Sequence, residues 1–227
     1  MGQEVLGSVA RAVLLDLDGT LLDTAPDLAA AVNAMLSGQG LDPLPESTVR
    51  DLIGRGIPQL VEKSLVAAGL PLTCELEPAL ISFGGHYARL NGRASRPYPG
   101  VLEALERMRA AGLKLACVTN KASAFTAPLL EKTGLAPLLD AVVSADQVDR
   151  RKPHPEPFLH ACRMLQVRPA EAVVIGDSAN DAEGARAAGC RVLLVTYGYS
   201  EGRDVRSLDS DGVVATFAEA ADRLIPR

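Results

Sequence analysis

The sequence predicts a doubly wound α/β domain, a parallel sheet covered by helices on both faces, with a smaller all-helical unit inserted after the first strand. Three observations carry this expectation. Five short apolar runs, Ala12–Asp16, Leu113–Thr119, Ala141–Ser144, Ala172–Gly176 and Arg191–Val195, alternate with segments of helical periodicity over most of the 227 residues. Strands buried on both faces read as nearly unbroken apolar runs, unlike the alternation of half-buried strands. Three of the runs end in a polar residue followed by turn chemistry: Asp16 before Asp18-Gly19, Thr119-Asn120, and Gly176-Asp177. Finally, the interval between the first and second runs is far longer than a single crossover helix requires, and it has no convincing strand pattern.

Within that interval, apolar residues recur at helical spacing. Leu28, Val32, Met35 and Leu36 form one stripe, Ile57, Leu60, Val61 and Leu65 a second, and a weaker pattern runs from Glu75 to Asn91. Thr24, with Pro26 and Asp27 in the following turn, reads as a helix start. The expected division is a core of residues 1–24 and 96–227 and a helical cap of residues 25–95, with Arg96-Pro97-Tyr98-Pro99-Gly100 as the return hinge. Beyond the hinge, Val101, Leu102, Leu105 and Met108 outline a helix that Gly112 closes, and Ser200 to Gly212 reads as a polar loop.

Composition narrows the function. A chain of this length buries a sizeable core without staples. Lys+Arg 23 against Asp+Glu 28 gives −5, whereas a nucleic-acid binder carries a positive surplus; four Phe, four Tyr and no Trp leave little for base stacking. No apolar run approaches the roughly 18 residues of a membrane span. The segment Met1 to Ala10 contains Glu4 and lacks a positive start and an apolar stretch, so no secretory signal is expected. Cys74, Cys117, Cys162 and Cys190 are scattered without a CxxC pair, which argues against a disulfide framework or a zinc site and suits a reducing cytoplasm. The expected partner is a small molecule, with neither nucleic acid nor membrane, and the expected assembly a monomer or homodimer.

In an open parallel sheet, ligands bind beyond the carboxyl ends of the strands. The polar residues at the strand ends fall on that edge: Asp16 and Asp18; Thr119 and Asn120; Asp177, Ser178, Asn180 and Asp181. Lys152 lies in the loop Arg150-Arg151-Lys152-Pro153-His154-Pro155, after the third run. Carboxylates from two strands make a hard-oxygen site of the kind Mg²⁺ accepts. Thr119 and Lys152 add donors for a phosphoryl group. Taken singly, each signal is ordinary: Asp-x-Asp-Gly as a turn, Thr119-Asn120 as a helix cap, Lys152 as a solvated lysine. Their joint appearance, in order and each at a strand end or its loop, is what points to a site. His86, His154 and His160 do not cluster, and Cys117 reads as core.

Leu15-Asp16-Leu17-Asp18-Gly19-Thr20-Leu21-Leu22-Asp23-Thr24 resembles the first motif of the haloacid dehalogenase-like hydrolase superfamily. Thr119-Asn120, Lys152-Pro153 and Gly176-Asp177-Ser178-Ala179-Asn180-Asp181 resemble its second, third and fourth motifs, and the helical insert resembles its small α-helical cap. Ala25-Pro26-Asp27-Leu28, Val118-Thr119-Asn120-Lys121, Arg151-Lys152-Pro153-His154-Pro155 and Val195-Thr196-Tyr197-Gly198-Tyr199 look closest to the bacterial phosphoglycolate phosphatase branch. The resemblance implies a phosphomonoesterase acting on a small ester such as 2-phosphoglycolate. Asp16 would form an aspartyl-phosphate, and Asp18 would serve as acid and then base. Asp16, Asp177 and the backbone carbonyl of Asp18 would hold Mg²⁺. Thr119, Lys152 and the backbone N–H groups after Asp16 would hold the phosphoryl oxygens, with Asp181 orienting Lys152 or metal-bound water.

For a substrate carboxylate there are two candidates. Arg55, in Gly54-Arg55-Gly56, offers a guanidinium fork from the cap, and Lys121 lies beside Thr119-Asn120 on the core side. The alternatives are a sugar or amino-sugar phosphate phosphatase, or a phosphomutase, of the same superfamily. A metal-free dehalogenase is disfavoured by Asp18 and the Gly-Asp-x-x-x-Asp segment. A non-catalytic, receiver-like signalling module is disfavoured by the chain length, the helical insert and the acid/base at Asp18.

Overall fold

The computed structural model describes residues 10–70 and 76–225. The segment before residue 10, Cys74 and the Glu75 start of the weak helical pattern lie outside the described residues.

The chain opens with β1 (Ala12–Leu15), β2 (Leu22–Asp23) and four helices, α1 (Ala25–Gly38), α2 (Glu46–Leu52), α3 (Ile57–Ala67) and α4 (Leu76–Leu90). It returns through β3 (Arg96–Pro97) and continues with α5 (Val101–Ala110), β4 (Lys114–Val118), α6 (Ser123–Lys132), β5 (Ala141–Val143) and α7 (Glu156–Leu165). It ends with β6 (Ala172–Gly176), α8 (Ala179–Ala188), β7 (Arg191–Val195), β8 (Gly212–Val214) and α9 (Phe217–Leu224). The main sheet has the order β5-β4-β1-β6-β7-β8, and its strand pairs are all parallel. All five expected strands are present, some trimmed by a residue or two.

Central strand β1 shows why its run is unbroken. Val13 and Leu15 join one core with Leu105 and Met108 of α5, Leu129 of α6 and Phe217 of α9. Ala12 and Leu14 join the opposite core with Phe158 and Ala161 of α7 and Ala182 and Ala185 of α8. Neither face meets water, so no position on the strand takes a polar residue.

A third apolar core lies among α1–α4, built from Leu28, Val32, Met35, Leu60, Phe83 and Tyr87, and Tyr199 enters it from the sheet side. The four helices lie between β2 and β3, which pair antiparallel with Leu22 opposite Pro97 and Asp23 opposite Arg96. The expected return hinge is therefore half of a short ribbon. Asp27 ties the ribbon to the helices. Its carboxylate accepts from the backbone N–H groups of Gly92 (2.9 Å), Ala94 (2.8 Å) and Ser95 (2.9 Å) and from Ser95 Oγ (2.6 Å). Thr24 does begin α1, but its hydroxyl donates to Asp18 at 2.6 Å and caps nothing. No described helix is long and apolar enough to cross a membrane.

Candidate active site

The carboxyl ends of β1, β4 and β6 meet at one edge of the sheet. Asp16 follows β1 directly, and its N–H donates to Ile175 O at 3.0 Å. The chain then turns tightly, with the N–H groups of Leu21 and Leu22 returning to Leu17 O. Gly19 takes φ +88°, and a side chain there would collide with the Asp177 carboxylate. Asp177 and Ser178 follow β6, and Ser178 Oγ donates to Asp181 at 2.8 Å across the first turn of α8.

Lys152 reaches this edge from the loop after β5. Its ammonium is buried and donates to Asp16 Oδ1 (2.6 Å), Asp181 Oδ1 (2.7 Å) and Val118 O (2.9 Å), so its three protons are all engaged. Asn120 holds the Lys152 backbone by both amide atoms: Oδ1 accepts from Lys152 N at 3.0 Å, and Nδ2 donates to Lys152 O at 3.1 Å. The same Nδ2 lies 3.1 Å from Gly54 O in the helical unit.

Asp16, Asp177 and Asp181 each bring a carboxylate oxygen within 4.8 Å of the others, and all three are buried. Burial pushes the Asp16 carboxyl up to about 7; Lys152 opposes that rise and Asp181 adds to it. Asp177 is raised well above the ordinary carboxylate range, by burial first and then by Asp16 and Asp181. One lysine is too little positive charge for three buried carboxylates. An all-oxygen donor set with surplus negative charge fits a hard divalent cation.

Asp18 stands apart from that cluster. Lys121 Nζ donates to its Oδ1 at 2.8 Å and its Oδ2 at 3.0 Å, and Thr24 Oγ1 donates to Oδ1. Burial works against the Lys121 charge, but the Asp18 carboxylate outweighs it and holds the ammonium well above its usual range. Asp16, Asp18, Thr119, Asn120, Lys121, Lys152 and Asp177 all line one cleft, closed on the helical side by Leu28, Ile53, Ile57 and Leu60.

The sheet edge thus brings together every expected site residue except Arg55, which does not line the cleft. Its half-exposed guanidinium pairs with Glu201 at 3.2 Å. Asn180 Nδ2 donates to the same Glu201 at 3.1 Å. None of the three histidines lines the cleft, and Cys117 is core as expected.

The model of the haloacid dehalogenase-like hydrolase family matches residues 10–189. The chain is a haloacid dehalogenase-like hydrolase. Among relatives of the hydrolase, the phosphoglycolate phosphatase of Nitrosospira multiformis is 49% identical over 212 residues, covering 92% of this chain and 93% of that one. The N-acetylmuramic acid 6-phosphate phosphatase of Pseudomonas aeruginosa is 41% identical over 197 residues, covering 86% and 85%. A crystal structure described as a predicted phosphoglycolate phosphatase from Haemophilus somnus superposes with TM-score 0.90 at 32% identity, covering 95% of this chain and 98% of that one.

Sequence reasoning on the hydrolase missed the part played by Tyr199. Its N–H donates to Asp177, and its hydroxyl accepts from the N–H groups of Thr24 (2.8 Å) and Ala25 (3.0 Å) while donating to Asp23. Arg50 of α2 pairs with the same Asp23 at 3.1 Å and lies over the Tyr199 ring. One residue, through its backbone N–H and its hydroxyl, therefore links a carboxylate of the acidic cluster to the entrance of the helical unit. The only advance signal was that Val195-Thr196-Tyr197-Gly198-Tyr199 is among the segments carrying the resemblance, which assigned the tyrosine no role.

Proposed function

We propose that this hydrolase is a Mg²⁺-dependent phosphomonoesterase acting through an aspartyl-phosphate, with 2-phosphoglycolate as its substrate. The observation that carries the reading is the placement of Asp16: a buried carboxylate at the end of the central strand, 2.6 Å from the Lys152 ammonium, in a cleft between the sheet edge and the helical unit. Relatives 45–49% identical over more than nine-tenths of the chain bear the name phosphoglycolate phosphatase, which supports the substrate.

In this reading Asp16 attacks phosphorus, and the ester P–O bond breaks as the new bond forms. Asp18 delivers its proton to the departing ester oxygen, then takes a proton from the water that hydrolyses the aspartyl-phosphate. Thr119 and Lys152 bind the phosphoryl oxygens, and Asp181 orients Lys152. Asp16, Asp177 and the backbone carbonyl of Asp18 would hold Mg²⁺, with Asp181 beside them. When bound, Mg²⁺ supplies the neutralisation without which a carboxylate and a phosphate dianion repel each other.

Residues 1–24 and 96–227 act as the core in this reading. Residues 25–95 act as a cap whose apolar wall excludes water over the reacting atoms. Cys117, Cys162 and Cys190 are free thiols, which suits a cytoplasmic enzyme, working as a monomer or homodimer on a small molecule.

The test is a steady-state comparison of kcat/KM over small phosphate esters that include 2-phosphoglycolate and N-acetylmuramic acid 6-phosphate, with and without Mg²⁺. The expected result is highest kcat/KM for 2-phosphoglycolate, and turnover abolished in a folded Asp16→Asn variant. A clear preference for the amino-sugar phosphate would overturn the substrate. Sustained multiple turnover by Asp16→Asn would overturn the mechanism.

A further inference from the structure

We propose that Lys121 selects the substrate by binding a carboxylate one carbon away from the ester oxygen, exchanging Asp18 for that carboxylate when the substrate enters. The inference rests on the phosphomonoesterase reading above and deepens its account of specificity.

Among the described residues that line the cleft, the cations are Lys121 and Lys152. Lys152 is committed to the reacting centre, donating to Asp16, Asp181 and the Val118 carbonyl beside the phosphoryl group it is proposed to bind. Lys121 is different: its protein partner in the cleft is one carboxylate, Asp18, held by both oxygens. The ammonium is 5.1 Å from the centroid of the Tyr87 ring, so an aromatic face of α4 backs it on the helical side. Its stem is buried and its position is set before any substrate arrives. The cost of removing this cation from water has been met in folding, and a second carboxylate meets a charge already dehydrated and aimed.

Reach decides what Lys121 can read. Asp18 is the group proposed to touch the ester oxygen, and Lys121 touches Asp18. A cation seated there is next to whatever is bonded to the ester oxygen. In 2-phosphoglycolate a single methylene separates that oxygen from the carboxylate, so the carboxylate falls at Lys121. Esters with a longer spacer or no anion leave Lys121 with Asp18 as its sole carboxylate. Arg55 lacks this access, because its guanidinium is turned to Glu201 outside the cleft lining. The remaining wall near the entering substrate, Leu28, Ile53, Ile57 and Leu60, is aliphatic and offers a carboxylate nothing.

The experiment compares 2-phosphoglycolate with ethyl phosphate, which has a methyl group in place of the carboxylate, in the wild type, Lys121→Met, Lys121→Arg and Arg55→Ala. Wild type is expected to prefer 2-phosphoglycolate. In Lys121→Met, kcat/KM for 2-phosphoglycolate should fall about 10- to 100-fold further than that for ethyl phosphate, the range of one charge-assisted hydrogen bond. Lys121→Arg should recover part of the preference, and Arg55→Ala should keep it. Far-ultraviolet circular dichroism confirms folding. Should Lys121→Met not fold, Lys121→Gln carries the same comparison.

Equal losses on both esters, or loss of preference in Arg55→Ala alone, would overturn the role of Lys121 while leaving the phosphatase reading intact. A wild type indifferent to the carboxylate would overturn the role and the 2-phosphoglycolate assignment together. Absence of turnover of either ester would overturn the phosphomonoesterase reading itself.

Discussion

Replacing Asp27 with alanine tests how the two ends of the helical unit, the first turn of α1 and the segment entering β3, are held together. The carboxylate is buried and accepts four hydrogen bonds from the segment entering β3, three on Oδ2 and one on Oδ1. Each bond to a charged acceptor is worth about 1.5–3 kcal/mol net, though bonds sharing one carboxylate do not add in full. Ala94 is exposed and Gly92 half-buried, so water can satisfy their N–H groups in the variant. Ser95 is buried and would keep an orphaned N–H and hydroxyl. The expected loss is about 3–5 kcal/mol, a large share of the 5–15 kcal/mol of a typical domain.

Asp27→Asn is predicted to lose less, about 1–2 kcal/mol. Its oxygen can stay on the three-bond side while its NH₂ group faces exposed Ala94. Urea unfolding measures both. With an m-value of about 2–3 kcal/mol/M, the alanine variant should unfold at a midpoint lower by about 1–2.5 M. An alanine variant within about 1 kcal/mol of wild type, or an asparagine variant worse than alanine, would show that the carboxylate is not the fastening.

Metal binding should depend on pH in a stated direction. Burial holds the Asp16 carboxyl near 7 in the metal-free protein, so Mg²⁺ must displace a proton below that pH. Asp177, also raised by burial, steepens the dependence, so apparent affinity should rise at least about tenfold from pH 6 to 8, with proton release seen by calorimetry in buffers of different ionisation enthalpy. EDTA should abolish activity and Mg²⁺ restore it; full activity after chelation or a flat pH dependence would contradict the site. Gly198→Ala places a methyl group against the Asp177 carboxylate and the Gly19 carbonyl. It should lower both Mg²⁺ affinity and kcat by at least about tenfold, and an unimpaired variant would mean that this loop yields freely.

The five main strands and the residues at their ends were legible in the chain for one physical reason. A parallel strand buried on both faces tolerates no polar residue, so Leu14-Leu15 or Val173-Val174-Ile175 announces itself, and the first polar residue marks where the strand emerges. Asp16, Thr119 and Asp177 follow at once.

Short elements were not legible. The strand Gly212–Val214 has three residues and exists because β7 offers it an edge, and a polar loop was expected up to its first residue. Helix α2 buries only Val49, too little for a periodic stripe. The ribbon of β2 and β3 forms because residues far apart in sequence are brought side by side.

The same limit applies to side chains whose partners are distant. Thr24 and Asp27 carry ordinary helix-start chemistry, yet one is drawn to Asp18 and the other to Gly92–Ser95. In the sequence Arg55 was the first candidate for a substrate carboxylate and Lys121 the second. Their separation came from tertiary neighbours: Glu201 turns Arg55 outward, while Asp18 and Tyr87 hold Lys121 in the cleft. Local sequence determined which segments become strands, because burial acts on each residue where it stands. Only the folded chain decided which charge meets which, because a carboxylate binds whatever donor the topology brings within about 3 Å, regardless of separation along the chain.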